Sequence, residues 1–188
     1  LVAMAVTAGI YALMALGMNV IWGMAGLINL GLVGFFAVGA YTSGLLTLKW
    51  GWPIFAGVMA GAAAAALVGV AVALITVRLR GDYLAIVTLG FAETMRVVMS
   101  NELWIANGTD GLSGIPGPFR QALGPHLFNL FYLGIVVAAV TIMFFLFERV
   151  AHAPFGRVLR GIREDEQIVQ VAGKNVVMFK VKAFAVGT

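Results

Sequence analysis

Apolar runs divide this chain before any single residue stands out. Leu1 to Leu48 passes 48 residues without a charge, and Trp50 to Val77 passes another 28 after Lys49. A hydrocarbon core of ~30 Å takes about 20 helical residues, so these runs hold several spans. Leu1 to Trp22 reads as the first helix, the GMAGLIN stretch breaks it, and a second runs from about Leu30 to Leu48. The third covers Trp52 to Val77, with Trp50 and Trp52 as interfacial anchors. A polar turn, RLRGD from Arg78 to Asp82, leads into a fourth, short run from Tyr83 to Met99, and Leu127 to Phe147 makes the fifth. Phe184 to Thr188 reads as the start of a sixth. The pattern predicts an all-α fold, a polytopic transmembrane helical bundle forming a single domain over residues 1–188.

Small residues punctuate these spans. The second carries Gly31, Gly34, Gly39 and Gly44, and the third carries Gly57 and Gly61 in GxxxG spacing ahead of five alanines, Ala62 to Ala66. Such residues let helices approach closely in lipid. For the second span an alternative stands beside close packing, a broken helix that lines a cavity.

Two polar segments separate the later spans. Residues 100–126 are rich in Gly, Pro, Asn and Asp around NGTDGLSGIPGP, which is turn chemistry and reads as an extracytoplasmic loop, either a connector or a lid that seats a partner. Residues 150–182 form the second. There Pro154 suits the first turn of a helix, and Phe155, Val158, Leu159, Ile162, Val169 and Ala172 recur as one apolar stripe. Gly161 is the expected break between two short helices. The second piece opens on Glu164, Asp165 and Glu166 and stops at Gly173, a natural cap. Arg157, Arg160 and Arg163 occupy another face. A basic amphipathic helix of this kind lies on an anionic leaflet or in a protein groove, and the three adjacent acids favour the groove. Seven Lys or Arg fall between Arg149 and Lys182 against Arg120 alone in the other loop, which places residues 150–182 in the cytoplasm. Alternation then puts Arg78 and Arg80 inside, Lys49 outside, and the turn from Gly23 to Asn29 inside unless that turn is re-entrant.

Composition agrees with this reading: hydrophobic residues make up 62% of the chain and charged ones 11%, against about a quarter in globular domains. Mean hydropathy is +1.01. With no cysteine, disulfides, thiolate metal sites and cysteine nucleophiles are excluded. The net charge of +4 follows from topology rather than from nucleic-acid binding. Motifs of zinc proteases, serine hydrolases and phosphate loops are missing, and His126 and His152 stand at span boundaries, so no catalytic or metal site is expected. Glu93 and Arg96 are the ionisable residues within a span; three residues apart, they share a helix face. They either snorkel near the helix end or line a solute path, and in an ATPase-independent secondary transporter they would be the ion-linked pair.

Four motifs in order carry a resemblance to the permease subunit of branched-chain amino acid ABC importers, of the LivM type rather than its LivH-type partner. NLGLVGFFAVGAYTS (Asn29 to Ser43) resembles the family's glycine-rich segment with its GAYT-like end, and RLRGDYLAIVTLGFAE (Arg78 to Glu93) is similar to its transmembrane signature. NGTDGLSGIP resembles its outer loop and FGRVLRGIREDEQIVQVAGKNV its coupling loop, followed by FKVKAFAVG. Leu32 stands where many members carry histidine. The resemblance implies a bacterial inner-membrane permease for branched-chain or other apolar amino acids, with urea or short amides as alternatives. The implied partners are a LivH-type permease, two cytoplasmic ATPase subunits that bind and hydrolyse the ATP, and a periplasmic solute-binding protein. The chain itself would hold no cofactor. ATPase coupling would fall to Arg157, Arg160, Arg163, Glu164, Asp165, Glu166 and Gly173, and charge reversal of the last two arginines would uncouple transport. The solute path would fall to Asn29, Tyr41, Thr42, Thr88, Glu93 and Arg96. A chain that opens at Leu1 and stops at Thr188, where a further helix begins, reads as a fragment of a longer permease.

Overall fold

Among the described residues, five helices are long and apolar enough to cross a membrane. In the computed structural model, which describes residues 2–77, 79, 81–102, 108, 111, 112, 114 and 125–188, they form an all-helical multi-pass membrane protein. Helix α1 covers Val2–Met18 and continues as a π-helical segment, Asn19–Met24. Helix α2 is Leu32–Trp50, α3 is Ile54–Thr76, α4 is Gly81–Asn101 and α5 is Pro125–His152. Two short helices follow, α6 (Pro154–Glu164) and α7 (Glu166–Val171), and then α8 (Val176–Gly187).

The glycines act through packing. Gly57 and Gly61 are buried on α3, and a Cβ on Gly61 would run into the carbonyl oxygen of Gly39 on α2. Pairing Gly39 with Gly61 and Ser43 with Gly57 makes α2 and α3 antiparallel neighbours at backbone contact. Gly31 lies on Thr88 and Gly34 on Ala92, so α2 and α4 run parallel, and Phe35 stacks on Phe91 at 4.7 Å. Gly17 and Gly187 meet backbone to backbone where α1 crosses α8. Helix α2 is continuous; the break expected near it lies just ahead, over residues 25–31.

Several expected boundaries shift. Helix α4 reaches Asn101 and is not short, while α5 runs past Phe147 to His152, carrying Glu148 and Arg149 as helical residues. The hydropathy pattern marks the hydrocarbon limit, whereas the backbone stays helical into the polar zone. The sixth apolar element begins at Val176 rather than Phe184, because Asn175 caps it by accepting the Met178 amide at 3.1 Å. Arg78, Arg80, Arg120 and most of NGTDGLSGIPGP lie outside the described residues.

Candidate functional site

The first span ends irregularly. Within the π-helical segment, Val20 and Ile21 are fully buried, and the chain then turns through Gly26 at φ +68°, a value that L side chains disfavour. The Leu27 amide reaches back to the Ile21 carbonyl at 3.1 Å. Residues 27–31 are not helical, so their amides need other partners. Leu30 donates to the hydroxyl of Thr88 at 3.1 Å, and Gly31 donates to Asn29 Oδ1 at 2.8 Å. Both Asn29 and Thr88 are fully buried. Thr88 stands six to seven residues into α4, about 10 Å from that helix's start. The unwound segment therefore dips along α4 before α2 begins.

Helices α6 and α7 are fastened to this same end. Leu159 and Ile162 on α6 pack into a cluster with Val20, Ile21, Met24, Leu27, Ala183 and Phe184. For Leu159 and Ile162, which α6 withdraws from water, burial contributes about 1.5–3 kcal/mol each. Three polar ties add direction. Arg160 Nη2 donates to the Ala151 carbonyl at the end of α5, and Arg163 Nη1 donates to the Gly23 carbonyl in the π-helical segment. Lys180 on α8, nearly buried, pairs with Glu166 on α7 at 2.7 Å. The helix pair is thus tied to α5, to the end of α1 and to α8.

The hinge between α6 and α7 is Asp165, not Gly161. Asp165 takes φ −153° and ψ 106°, and its Oδ1 accepts the amides of Gln167 at 2.9 Å and Ile168 at 3.2 Å. Gly161 stays helical within α6, and its missing Cβ leaves room for Val169 to pack closely there. Helix α7 closes at Gly173, φ +77°, with Gly173 donating to Gln170 at 2.9 Å and Lys174 to Val169 at 3.2 Å. Ala172 is exposed and falls outside the apolar stripe.

The candidate residues sort by these contacts. Arg160, Arg163 and Glu166 make intramolecular ties, Asp165 and Gly173 are caps, and Arg157 and Glu164 are exposed. Two apolar side chains on α7 escaped the sequence reading: Ile168 is 67% and Val171 90% exposed. Lys180 also escaped it; the available signal was a pair of lysines, Lys180 and Lys182, at the start of the apolar FKVKAFAVG stretch. On the other side, Asn29 and Thr88 come together, but Tyr41 and Thr42 stand half-buried about 14 Å further along α2. Glu93 and Arg96 form a two-bond ion pair at 2.6 and 2.9 Å on the open face of α4. The turn from Gly23 to Asn29 lies beside α6, joined to it through Arg163.

Comparison with known proteins gives these elements a context. The family described as the branched-chain amino acid transport system permease component matches residues 1–188. The chain is 37% identical to the high-affinity branched-chain amino acid transport system permease protein LivM of Escherichia coli, over 94% of this chain and 47% of the relative. It is 32% identical to the protein of the same name in Salmonella typhimurium, again over 94% and 47%. A probable LivM of Methanocaldococcus jannaschii is 27% identical over 96% of this chain and 61% of the relative. The chain therefore spans about half the length of the two enterobacterial relatives. No solved structure matches. On the full-length family match and these identities, the chain belongs to the permease component family of branched-chain amino acid transport systems.

Proposed function

We propose that the chain is permease-forming sequence of an ATP-driven importer that carries branched-chain or similar apolar amino acids across the bacterial inner membrane. In this reading α6 and α7 face the cytoplasm and dock on an ATPase subunit, which binds and hydrolyses the ATP. A LivH-type permease, a second ATPase subunit and a periplasmic binding protein complete the machine, with residues 100–126 on the outer side. The observation that carries the reading is the triple tie of α6 and α7 to α5, α8 and the end of α1. A rigid element joined to several spans is what transmission of a docking motion requires. Docking contact is assigned to the exposed Ile168 and Val171, because apolar side chains held in water mark a partner surface.

The test is uptake of labelled leucine into vesicles holding the full-length permease with its partner subunits. ATP-dependent uptake that survives an ionophore and stops with a hydrolysis-dead ATPase supports the reading. Uptake that an ionophore abolishes and a dead ATPase leaves untouched contradicts it, and would return Glu93 and Arg96 to consideration as an ion-linked pair.

A further inference from the structure

One buried polar atom in the unwound segment has no partner among the described residues: Asn29 Nδ2. The amide's orientation is fixed by its neighbour, since the Gly31 N–H requires an oxygen and takes Oδ1, which leaves the NH2 group as the unmet donor. Asn29 is fully buried, and an unmet donor at such a position is a standing penalty that a folded protein seldom keeps without a use.

Two further features lie beside it. Helix α2, 19 residues long, begins at Leu32, and its N-cap Gly31 offers no side chain to the first-turn amides. That end carries the positive pole of the helix. Next to it is a cavity of about 300 Å³ lined by Met14, Ala15, Met18, Asn29, Leu32 and Val33. Such a volume is at the lower end for small-molecule sites, and apolar groups with very few polar ones are their usual lining.

We propose that Asn29 and the N-terminus of α2 form a subsite for the solute's carboxylate, with its aliphatic side chain against the Met14 and Met18 wall. The subsite rests on the proposed transport function and deepens it. Neutral donors suit the task, because a carrier must release what it binds, and an arginine would hold a carboxylate too firmly. Met14 and Met18 suit aliphatic side chains of varied shape, since methionine is unbranched and adapts to its contacts.

The test is equilibrium binding of labelled leucine to the purified full-length permease in detergent, competed by leucinamide, which lacks the carboxylate. Asn29→Asp keeps an oxygen for the Gly31 amide and replaces the free donor with an anionic acceptor. Leucine affinity should fall about tenfold or more, while leucinamide loses far less. Ala15→Phe leaves Asn29 untouched and fills the apolar side of the cavity, so it should weaken both ligands by a similar factor. Wild-type leucine affinity in both variants, once assembled, overturns the subsite; if the importer still carries leucine, the transport function stands. A wild-type importer that carries no amino acid overturns the function itself.

Discussion

Arg163 on α6 donates a hydrogen bond to the backbone carbonyl of Gly23, 140 residues earlier and inside the π-helical end of the first span. Its aliphatic stem also covers Gly26, the residue at which the chain leaves the helix. A helical carbonyl of the last turn has lost its usual partner, and a guanidinium is well suited to replace it. The short helix therefore uses two of its three arginines, Arg160 and Arg163, as fasteners to the membrane-spanning part, and Arg163 is the one that reaches the first span. In the proposed machine this is the joint between docking and transport.

Gly26 is the first place to test that joint. At φ +68° a Cβ costs about 1–2 kcal/mol, and here it would also displace the Arg163 stem. Gly26→Ala should therefore lower the melting temperature of the purified protein, and Gly26→Val should lower it further. Unchanged melting for both would mean that the turn is not held as described.

Ile168 and Val171 should behave in the opposite way from Leu159. The exposed pair contributes little to folding, so replacing both with Asp should change stability by no more than about 0.5 kcal/mol. Co-purification of the ATPase should nevertheless fall about tenfold or more. Leu159→Ala, in the buried cluster, should destabilise by about 2–5 kcal/mol. Full ATPase retention by the double Asp variant would move the docking surface elsewhere.

For Glu166 and Lys180 a double-mutant cycle is the informative measurement. Glu166→Gln leaves the nearly buried ammonium of Lys180 without its partner and should cost about 2 kcal/mol, less than a fully buried pair because Glu166 itself is partly in water. Lys180→Met leaves a carboxylate that solvent can reach and should cost less. In the double variant the losses should not add. Strict additivity, read from denaturation of the three proteins, would show that the pair is not coupled.

Long-range ties such as these were not legible in the sequence, although the spans were. Hydropathy alone located five of them, because an apolar run of span length has few other stable uses. Their ends were less visible: α5 continues to His152 after hydropathy has fallen, since backbone hydrogen bonding does not stop at the lipid boundary. At Gly161 the expected break did not form; the chain breaks at Asp165, whose side chain caps α7, while Val169 packs against Gly161. The bonds from Arg163 to Gly23 and from Leu30 to Thr88 join residues 140 and 58 positions apart, and no local pattern encodes such pairs. Asn29 was a candidate by position within a motif; its unmet donor appears only once the Gly31 amide is placed.

In the proposed importer, Arg163 fastens α6 to the spans and does not touch the ATPase. The most direct measurement is the ratio of leucine imported to ATP hydrolysed by the reconstituted full-length importer carrying Arg163→Glu. With Arg163 as a fastener, the ATPase still co-purifies and still hydrolyses ATP, while leucine imported per ATP falls about tenfold or more. A wild-type ratio would contradict it, and so would loss of the ATPase from the complex, since that would make Arg163 a docking residue.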